Sequence, residues 1–229
     1  MKLTREPRIL GTALLVAIAA IGAGFLVAPR KPPAVLLPDP APDPTVRRVE
    51  LLAPGAHALG AASAPTHLVA FVDFQCSLCG LGSEDIRRQM RARPGRLRLT
   101  VRHAQFSLSH PHAPLMAAGA EAAALQGAYW SMHRALLAGQ SRFKYASPEA
   151  ARSELMRLAS RLKLDRARFE RDLGSPSTLA RVDADLALAR RVGATLAPTF
   201  FALEPGEGPP IRLSHIHHLQ KWIRDPANW

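Results

Sequence analysis

Apolar runs of different lengths organise the first half of the chain. Residues 9–28 contain no charged side chain, and a helix of that length crosses the ~30 Å hydrocarbon core of a bilayer. Residues 66–74 form a shorter, nearly continuous apolar stretch, which is typical of a strand buried on both faces. Residues 96–106 alternate apolar and polar side chains, which is the pattern of a second strand. The chain is therefore predicted to hold a single transmembrane helix followed by an α/β domain.

Helical spacing dominates the chain after the first strand. Residues 80–93 predict one helix, and residues 113–191, rich in Ala, Leu and Arg, predict a succession of helices. Three residues in that block are candidate helix starts, namely Ser147, Asp165 and Ser175. The remaining predicted elements are strands at 198–203 and 211–213 and a helix at 216–224. This order predicts one mixed sheet flanked by helices, with a helical insertion at about residues 107–192.

The N-terminal region divides by composition into three segments. Residues 1–8 are basic, residues 9–28 form the predicted transmembrane anchor, and residues 29–45, with seven prolines, predict an extended linker. An apolar run this long favours an uncleaved anchor over a signal peptide, whose apolar core usually spans only ~7–15 residues. Cleavage after Ala23 stays open as the alternative. The globular domain is predicted at residues 46–229.

Composition and charge exclude several classes of function. The chain has two cysteines, too few for a disulfide-dense scaffold or a four-cysteine zinc site. The formal net charge is +12, but no nucleic-acid recognition motif accompanies it, so we expect no nucleic-acid partner. The histidines at 110–112 and 215–218 are interpreted as surface or helix-cap residues rather than as metal ligands.

The two cysteines form a C-x-x-C motif directly after the first predicted strand. Cys76 and Cys79 would then open a helix, whose N-terminal N–H groups and partial positive charge stabilise a thiolate. In a redox interpretation Cys76 is the nucleophile, and Cys79, about one turn further on, resolves the mixed disulfide. Two structural core cysteines, a static disulfide or half of a metal site are the alternatives.

Several motifs together resemble the DsbA-like branch of the thioredoxin fold. The matching segments are 72–79 (VDFQCSLC), Arg102-His103 with 109–113 (SHPHA), 117–133 and 196–201 (LAPTFF). The resemblance covers roughly residues 65–203. It implies a thioredoxin-like fold with an inserted helical subdomain and dithiol–disulfide exchange outside the cytoplasm. It also implies no cofactor beyond a redox-active disulfide between Cys76 and Cys79, and no metal.

The same resemblance assigns a second part of the site. Pro198 would be the cis-proline that faces the cysteine pair, and Ala197 and Thr199 would complete the substrate-binding loop. A cis bond there turns the chain so that backbone groups beside the sulfur atoms face a substrate, which can pair like an added strand. Ala197 is smaller than the usual Val or Thr, a difference that opens the predicted groove.

Three departures from the family pattern bear on the chemistry. Ser77 and Leu78 separate the cysteines, where well-known DsbA proteins carry Pro-His. Because Leu78 brings neither charge nor a hydrogen-bond donor, we expect the pKa of Cys76 to be less depressed than in the strongest oxidants. Many members also carry a buried acid six residues before the first cysteine, where this chain has Ala70. Asp73 is the nearest acid, and it is interpreted either as handling the proton of Cys79 or as capping the active-site loop.

These features predict a membrane-tethered thiol–disulfide oxidoreductase. The expected substrates are unfolded or partly folded exported proteins, and a membrane or periplasmic redox partner would reset the cysteine pair. Residues 9–28 would anchor the chain in the bacterial inner membrane with the catalytic domain on the periplasmic side, where disulfides persist. A soluble periplasmic form after signal cleavage is the alternative location. A copper-binding or other metal-binding chaperone, or a non-catalytic binding module on the same fold, is the alternative function.

Overall fold

A mixed sheet of six strands forms the centre of the domain in the part that this computed structural model describes, residues 41–228. The strands are β1 (Ala41–Pro42), β2 (His57–Leu59), β3 (Thr66–Val72), β4 (Leu97–His103), β5 (Thr199–Leu203) and β6 (Ile211–Leu213). Their order across the sheet is β1-β6-β5-β3-β4-β2. β3 and β4 run parallel, and the other neighbours are antiparallel.

Eight α-helices accompany the sheet within the described range. They are α1 (Arg48–Leu51), α2 (Ser77–Ala92), α3 (Ala113–Ala124), α4 (Tyr129–Ala138), α5 (Pro148–Arg161), α6 (Arg166–Leu173), α7 (Pro176–Arg191) and α8 (Ile216–Arg224). Short 3-10 turns at Gln140–Arg142 and Pro226–Asn228 follow α4 and α8. The predicted α/β fold with a mixed sheet, flanking helices and a helical block between β4 and β5 is confirmed.

Residues 68–72 of β3 are all apolar and buried because helices cover both faces of the sheet at its centre. Leu68, Ala70 and Val72 point to a large core that also receives α2, α3 to α6 and α8. The alternate residues Val69 and Phe71 point to a smaller core on the opposite face, beneath α1 and α7. A strand buried on both sides has no polar face. The inserted helices share the core of the sheet and have no separate core of their own.

Local side-chain caps set the helix starts inside the insertion. Ser147, Asp165 and Ser175 each accept a backbone N–H three residues further on, which satisfies one of the unpaired donors at a helix N-terminus. These three predicted starts are confirmed. The sequence did not predict the break between α3 and α4, where Gly127 adopts a φ of +73° that glycine accommodates without steric cost.

The structure at the edges of the sheet and near residue 41 differs in part from what the sequence predicts. β1 lies within the segment 29–45, for which the sequence predicts a linker, and β2 and α1 were not predicted. The basic segment 1–8, the predicted anchor 9–28 and most of that linker lie outside the described residues. Among residues 41–228, none of the helices has both the length and the apolar character needed to span a bilayer.

Candidate functional site

The first cysteine caps the helix that follows the central strand. Cys76 is the N-cap of α2, with extended backbone angles, and its carbonyl accepts the N–H of Cys79 at 3.0 Å. The Cys76 N–H in turn donates to the Asp73 carbonyl at 3.1 Å, which closes the turn between β3 and the helix. Cys76 is half-buried, whereas Cys79 is only 1% exposed. The pair therefore consists of one accessible sulfur atom and one enclosed sulfur atom.

The pKa values of the two thiols are shifted in opposite directions. Cys79 donates a side-chain hydrogen bond to the Cys76 sulfur, and this bond, with backbone N–H groups of Cys79 and Leu78, lowers the pKa of Cys76 from 9.0 to about 6 against the effect of burial. Burial is the largest cause that raises the pKa of Cys79 well above 9.0. At neutral pH Cys76 is therefore mostly the nucleophilic thiolate and Cys79 is a thiol.

The residues between the cysteines, Ser77 and Leu78, bear on how far the pKa of Cys76 is lowered. Its value of about 6 lies above the pKa of about 3.5 found in the most oxidising members of this fold. Ser77 is exposed, and Leu78 is partly buried against the apolar core. Neither residue is charged, so the lowering of the pKa comes from the hydrogen bonds to the sulfur.

The loop before β5 forms the opposite wall of the site. The peptide bond between Ala197 and Pro198 is cis, and the Cys76 thiol donates to the Ala197 carbonyl at 3.3 Å. Thr199 begins β5 opposite Phe71 of β3, and its hydroxyl donates to the Leu196 carbonyl at 2.7 Å. Because β5 pairs with β3, the sheet itself brings the loop predicted at Ala197 to Thr199 against Cys76.

Asp73 occupies the centre of the polar contacts behind the cysteines. Its carboxylate is 1% exposed and accepts the Gln75 N–H at 2.7 Å, and its own N–H donates to the Cys79 sulfur at 3.4 Å. The second carboxylate oxygen lies 2.9 Å from Nδ1 of His110. The Asp73 carboxylate therefore caps the active-site turn, as one of the two sequence interpretations expects, whereas the contact of Asp73 with Cys79 is made by its backbone N–H.

Three polar residues of the site were missed by sequence reasoning. His110, interpreted as a surface or cap residue, pairs with Asp73. Gln140 donates from its side chain to the carbonyls of Phe74 and Cys76, both at 2.8 Å. Gln75 accepts the backbone N–H of His112 at 2.5 Å. His110 and Gln140 are far from the cysteines in sequence, and a pairwise contact at such separation leaves no periodic signal.

Two cavities open beside the cysteine pair, and His110 lines both of them. One, of about 560 Å³, is lined in part by Cys76, Leu78 and Lys144. The other, of about 290 Å³, is lined in part by Asp73, Leu196 and Ala197. Both cysteines are free thiols. Within residues 41–228 there is no group of three or more His, Cys, Asp or Glu side chains arranged to hold a metal ion.

Curated relatives of the chain are long proteins that it matches only in part. It is 36% identical over 145 residues to the Na(+)/H(+) antiporter NhaA 3 of Salinispora tropica, a match that covers 63% of this chain and 21% of the antiporter. It is 38% identical over 162 residues to the antiporter NhaA of Herminiimonas arsenicoxydans, covering 69% and 23%. The chain thus spans less than a quarter of the length of these relatives.

Similar solved structures match over nearly their whole length. A thioredoxin-like oxidoreductase from Silicibacter pomeroyi DSS-3 aligns with a TM-score of 0.60 and 26% identity, over 80% of this chain and 98% of that one. Oxidised BdbD from Bacillus subtilis aligns with a TM-score of 0.63 and 18% identity, over 82% and 97%. A family model described as thioredoxin matches residues 52–209. The predicted thioredoxin-like resemblance is thereby confirmed, and the chain belongs to the thioredoxin family.

Proposed function

We propose that the protein exchanges disulfides with cysteine-containing polypeptides through Cys76 and Cys79. One observation carries this proposal. A half-buried Cys76, whose pKa is lowered to about 6, lies over a buried Cys79 and beside the Ala197 carbonyl. A static structural pair would require neither the accessible thiolate nor the open cavity of about 560 Å³ next to it.

The proposed exchange balances in both directions. When the Cys76–Cys79 disulfide oxidises a substrate, a substrate thiolate attacks the Cys76 sulfur, the internal S–S bond breaks and Cys79 leaves with its electron pair and takes up a proton. A second substrate thiolate then attacks the substrate sulfur of the mixed disulfide and releases the Cys76 thiolate. Two substrate thiols become one disulfide, and the protein becomes a dithiol. The reverse sequence reduces a substrate disulfide.

Apolar side chains around the opening favour an unfolded polypeptide as the substrate. Leu196, directly before Ala197, is 75% exposed, Leu108 of the loop before α3 is 101% exposed, and Tyr145, next to Lys144, is 86% exposed. Exposed apolar groups close to a functional site are typical of interaction surfaces. They fit the apolar side chains that an unfolded or partly folded protein displays.

The proposed location follows from the N-terminal sequence. The uncharged segment 9–28 would anchor the chain in the bacterial inner membrane, and the linker would hold the domain on the periplasmic side. Substrates would then be exported proteins, whose disulfides persist in that compartment. Because the cysteine pair changes redox state in each cycle, a membrane or periplasmic redox partner would restore it.

A transfer assay tests the exchange directly. The oxidised full-length protein is incubated with a reduced, unfolded dithiol protein, and the loss of substrate thiols is followed over time. Cys76→Ser should abolish the reaction, since it removes the attacked sulfur atom. In the reductive direction, Cys79→Ser should trap a mixed disulfide on Cys76, visible by mass spectrometry.

Two outcomes would contradict the proposal. Transfer that continues unchanged in Cys76→Ser would show that the cysteine pair does not carry it. No transfer by the wild-type protein, together with tight copper binding that Cys76→Ser removes, would favour the metal-chaperone alternative. Exposed His217→Asn, on α8, serves as a matched control that should leave transfer unchanged.

A further inference from the structure

We propose that the cavity lined by Cys76 and Lys144 binds an acidic side chain that flanks the reacting cysteine of a substrate polypeptide. The inference rests on the proposed disulfide exchange and deepens it, because it names a chemical preference of the same site. It assigns Lys144 as the residue that determines this preference. The exposed apolar side chains around the opening would contact other residues of the same substrate.

The described residues that line the cavity next to Cys76 are mostly polar, and none of them is acidic. The cavity has a volume of about 560 Å³, which is more than one substrate side chain fills. Three serines, two glutamines, His110 and Lys144 line it together with Cys76 and Leu78. Apart from the Cys76 thiol, each ionisable group in this wall is either neutral or positive. Such a wall favours an anionic side chain over a cationic one.

Lys144 supplies the positive charge of this wall. It is exposed, and its ammonium group lies 5.1 Å from the centre of the Tyr145 ring, a cation–π contact that helps to hold the side chain. Within residues 41–228 no carboxylate forms an ion pair with Lys144. Arg142, two residues earlier, has such a partner in Glu154. Lys144 is therefore available to pair with a carboxylate that a substrate brings.

The carboxylate of Asp73 is directed away from this wall. It is buried, and it accepts the Gln75 N–H and contacts Nδ1 of His110. Asp73 lines the smaller cavity of about 290 Å³, whereas Lys144 lines the larger one. A carboxylate that enters the larger cavity therefore meets an ammonium group, serine hydroxyls and an imidazole, and no second carboxylate within the described wall.

The charge of Cys76 links the binding of an acidic side chain to the redox state. In the oxidised protein the Cys76 sulfur belongs to a disulfide and carries no charge, so it does not oppose the attraction by Lys144. After transfer Cys76 is released as a thiolate at neutral pH, because its pKa is lowered to about 6. A negative sulfur in the same cavity repels a bound carboxylate. The oxidised protein should therefore bind an acidic substrate more tightly than the reduced protein does.

Matched peptides test this preference. The oxidised full-length protein is mixed with unstructured peptides whose two cysteines are flanked by glutamate, glutamine or lysine, and kcat/KM is measured for each. Each value is divided by the rate of the same peptide with uncharged hydroxyethyl disulfide, which corrects for the effect of the flanking residue on the thiol itself. At low salt we expect the glutamate peptide to react about fivefold faster than the glutamine peptide, near the upper limit for one exposed ion pair.

Substitutions of Lys144 separate its charge from a structural role. The readout is the ratio between peptides, which a general loss of activity does not change. Lys144→Gln should abolish the preference for glutamate, and Lys144→Glu should reverse it in favour of the lysine peptide. Lys163→Gln, at an exposed position after α5, is the matched control and should keep the wild-type ratio. High salt should reduce the ratio in the wild type.

Two kinetic outcomes would overturn the assignment of Lys144. One is equal corrected rates of the glutamate, glutamine and lysine peptides with the wild-type protein. The other is a preference for glutamate that persists unchanged in Lys144→Gln. Failure of the wild-type protein to oxidise any of the three peptides would refute the proposed function instead.

A binding measurement without exchange locates the carboxylate. The glutamate peptide with both cysteines replaced by serine is titrated into the protein and followed by NMR at neutral pH. We expect weaker binding to the reduced wild type than to the oxidised form, and Cys76→Ser, which has no thiolate at that position, should recover the tighter binding. Equal affinity in both redox states would place the carboxylate away from Cys76 and overturn the proposal.

The same titration distinguishes a polypeptide from a small anionic thiol as the source of the carboxylate. S-methylglutathione carries carboxylates but lacks the neighbouring residues that would contact the apolar side chains around the opening. We expect it to bind the oxidised protein more weakly than the glutamate peptide does. Equal or tighter binding of S-methylglutathione would assign the cavity to a small thiol and overturn the assignment to a polypeptide.

Discussion

Two histidine–carboxylate contacts in this molecule use the same side chains in different surroundings. At the active site, buried Asp73 contacts His110, whose ring is 25% exposed and lines two cavities. In the interior, Glu121 of α3 lies 2.7 Å from His103 and about 3.0 Å from His57. The His103 side chain is only 1% exposed. The first contact lies beside the open cavities of the active site, whereas the second joins a helix to the sheet.

The surroundings explain the different roles. His103 ends β4 and His57 begins β2, so Glu121 binds two neighbouring strands to the first helix of the insertion. The ring of Tyr129 stacks on His57 with centroids 3.5 Å apart. No cysteine lies in these contacts. The same pairing of side chains thus stabilises the packing of a helix on two strands in the interior, whereas at the active site its histidine is exposed and lines the cavities.

Removal of the interior carboxylate should have the largest effect on stability. Glu121→Ala leaves the nitrogen atoms of His103 and His57 without their acceptor, which should cost about 3 kcal/mol of unfolding free energy. Urea unfolding followed by circular dichroism measures this loss. Disulfide transfer per folded molecule should stay close to wild type. Asp73→Asn is the matched carboxylate variant, and a larger loss of stability there than in Glu121→Ala would contradict the comparison.

Acid should destabilise the interior by way of two groups. Burial opposes ionisation of Glu121, but its bonds to His103 and His57 lower its pKa from 4.5 to about 2. Burial lowers the pKa of His133 from 6.5 to about 3. Both values lie below those of the unfolded chain, so the unfolded state binds more protons in acid. Stability should therefore be complete above pH 6.5 and decline as the pH falls towards 3.

The variant His133→Phe separates the contribution of His133 to the loss of stability in acid. The variant has no group to protonate, so its stability should fall by about 1.4 kcal/mol less per pH unit than that of the wild type between the two pKa values of the histidine. Urea unfolding at a series of pH values measures the slope. His217→Phe, at an exposed position of α8, is the control and should keep the wild-type slope. An identical slope in His133→Phe would exclude His133 as a source of acid sensitivity.

A histidine placed between the cysteines should alter the open site by a smaller amount. In Leu78→His the new side chain can stabilise the Cys76 thiolate, and we expect the pKa of Cys76 to fall by about one unit. Each unit corresponds to about 1.4 kcal/mol, or roughly 30 mV towards a more oxidising disulfide. Thiolate absorbance and a glutathione equilibrium measure the two quantities. Leu81→His, one turn further along α2, should change both less, and a pKa that does not respond to Leu78→His would refute this explanation.

The parts of the fold that depend on local sequence could be predicted. β3 is a buried apolar run, and the helix starts at Ser147, Asp165 and Ser175 are set by side chains that bond three residues ahead. The short elements β1, β2 and α1 were missed, since two to four residues carry no measurable periodicity. β1 has its partner in β6, far along the chain.

The site divides in the same way between local and distant contacts. Cys76 and Cys79 could be assigned from their spacing and from the strand before them, because a strand–turn–helix unit is local. His110 and Gln140 could not, because they reach the active-site turn from 37 and 64 residues away. The sequence placed Asp73 near the cysteines but left open whether it caps the turn or handles a proton.

The sequence by itself determined the central strands, the starts of three inserted helices at Ser147, Asp165 and Ser175, and the position of the cysteine pair directly after the first central strand. Each of these depends on side-chain periodicity, on capping or on spacing within a few residues. Such local properties can be recognised from the sequence alone. Only the tertiary structure decided which histidine lies at the active site and which is buried in the core. Sheet pairing and helix packing set those distances, and they bring together residues that share no local pattern.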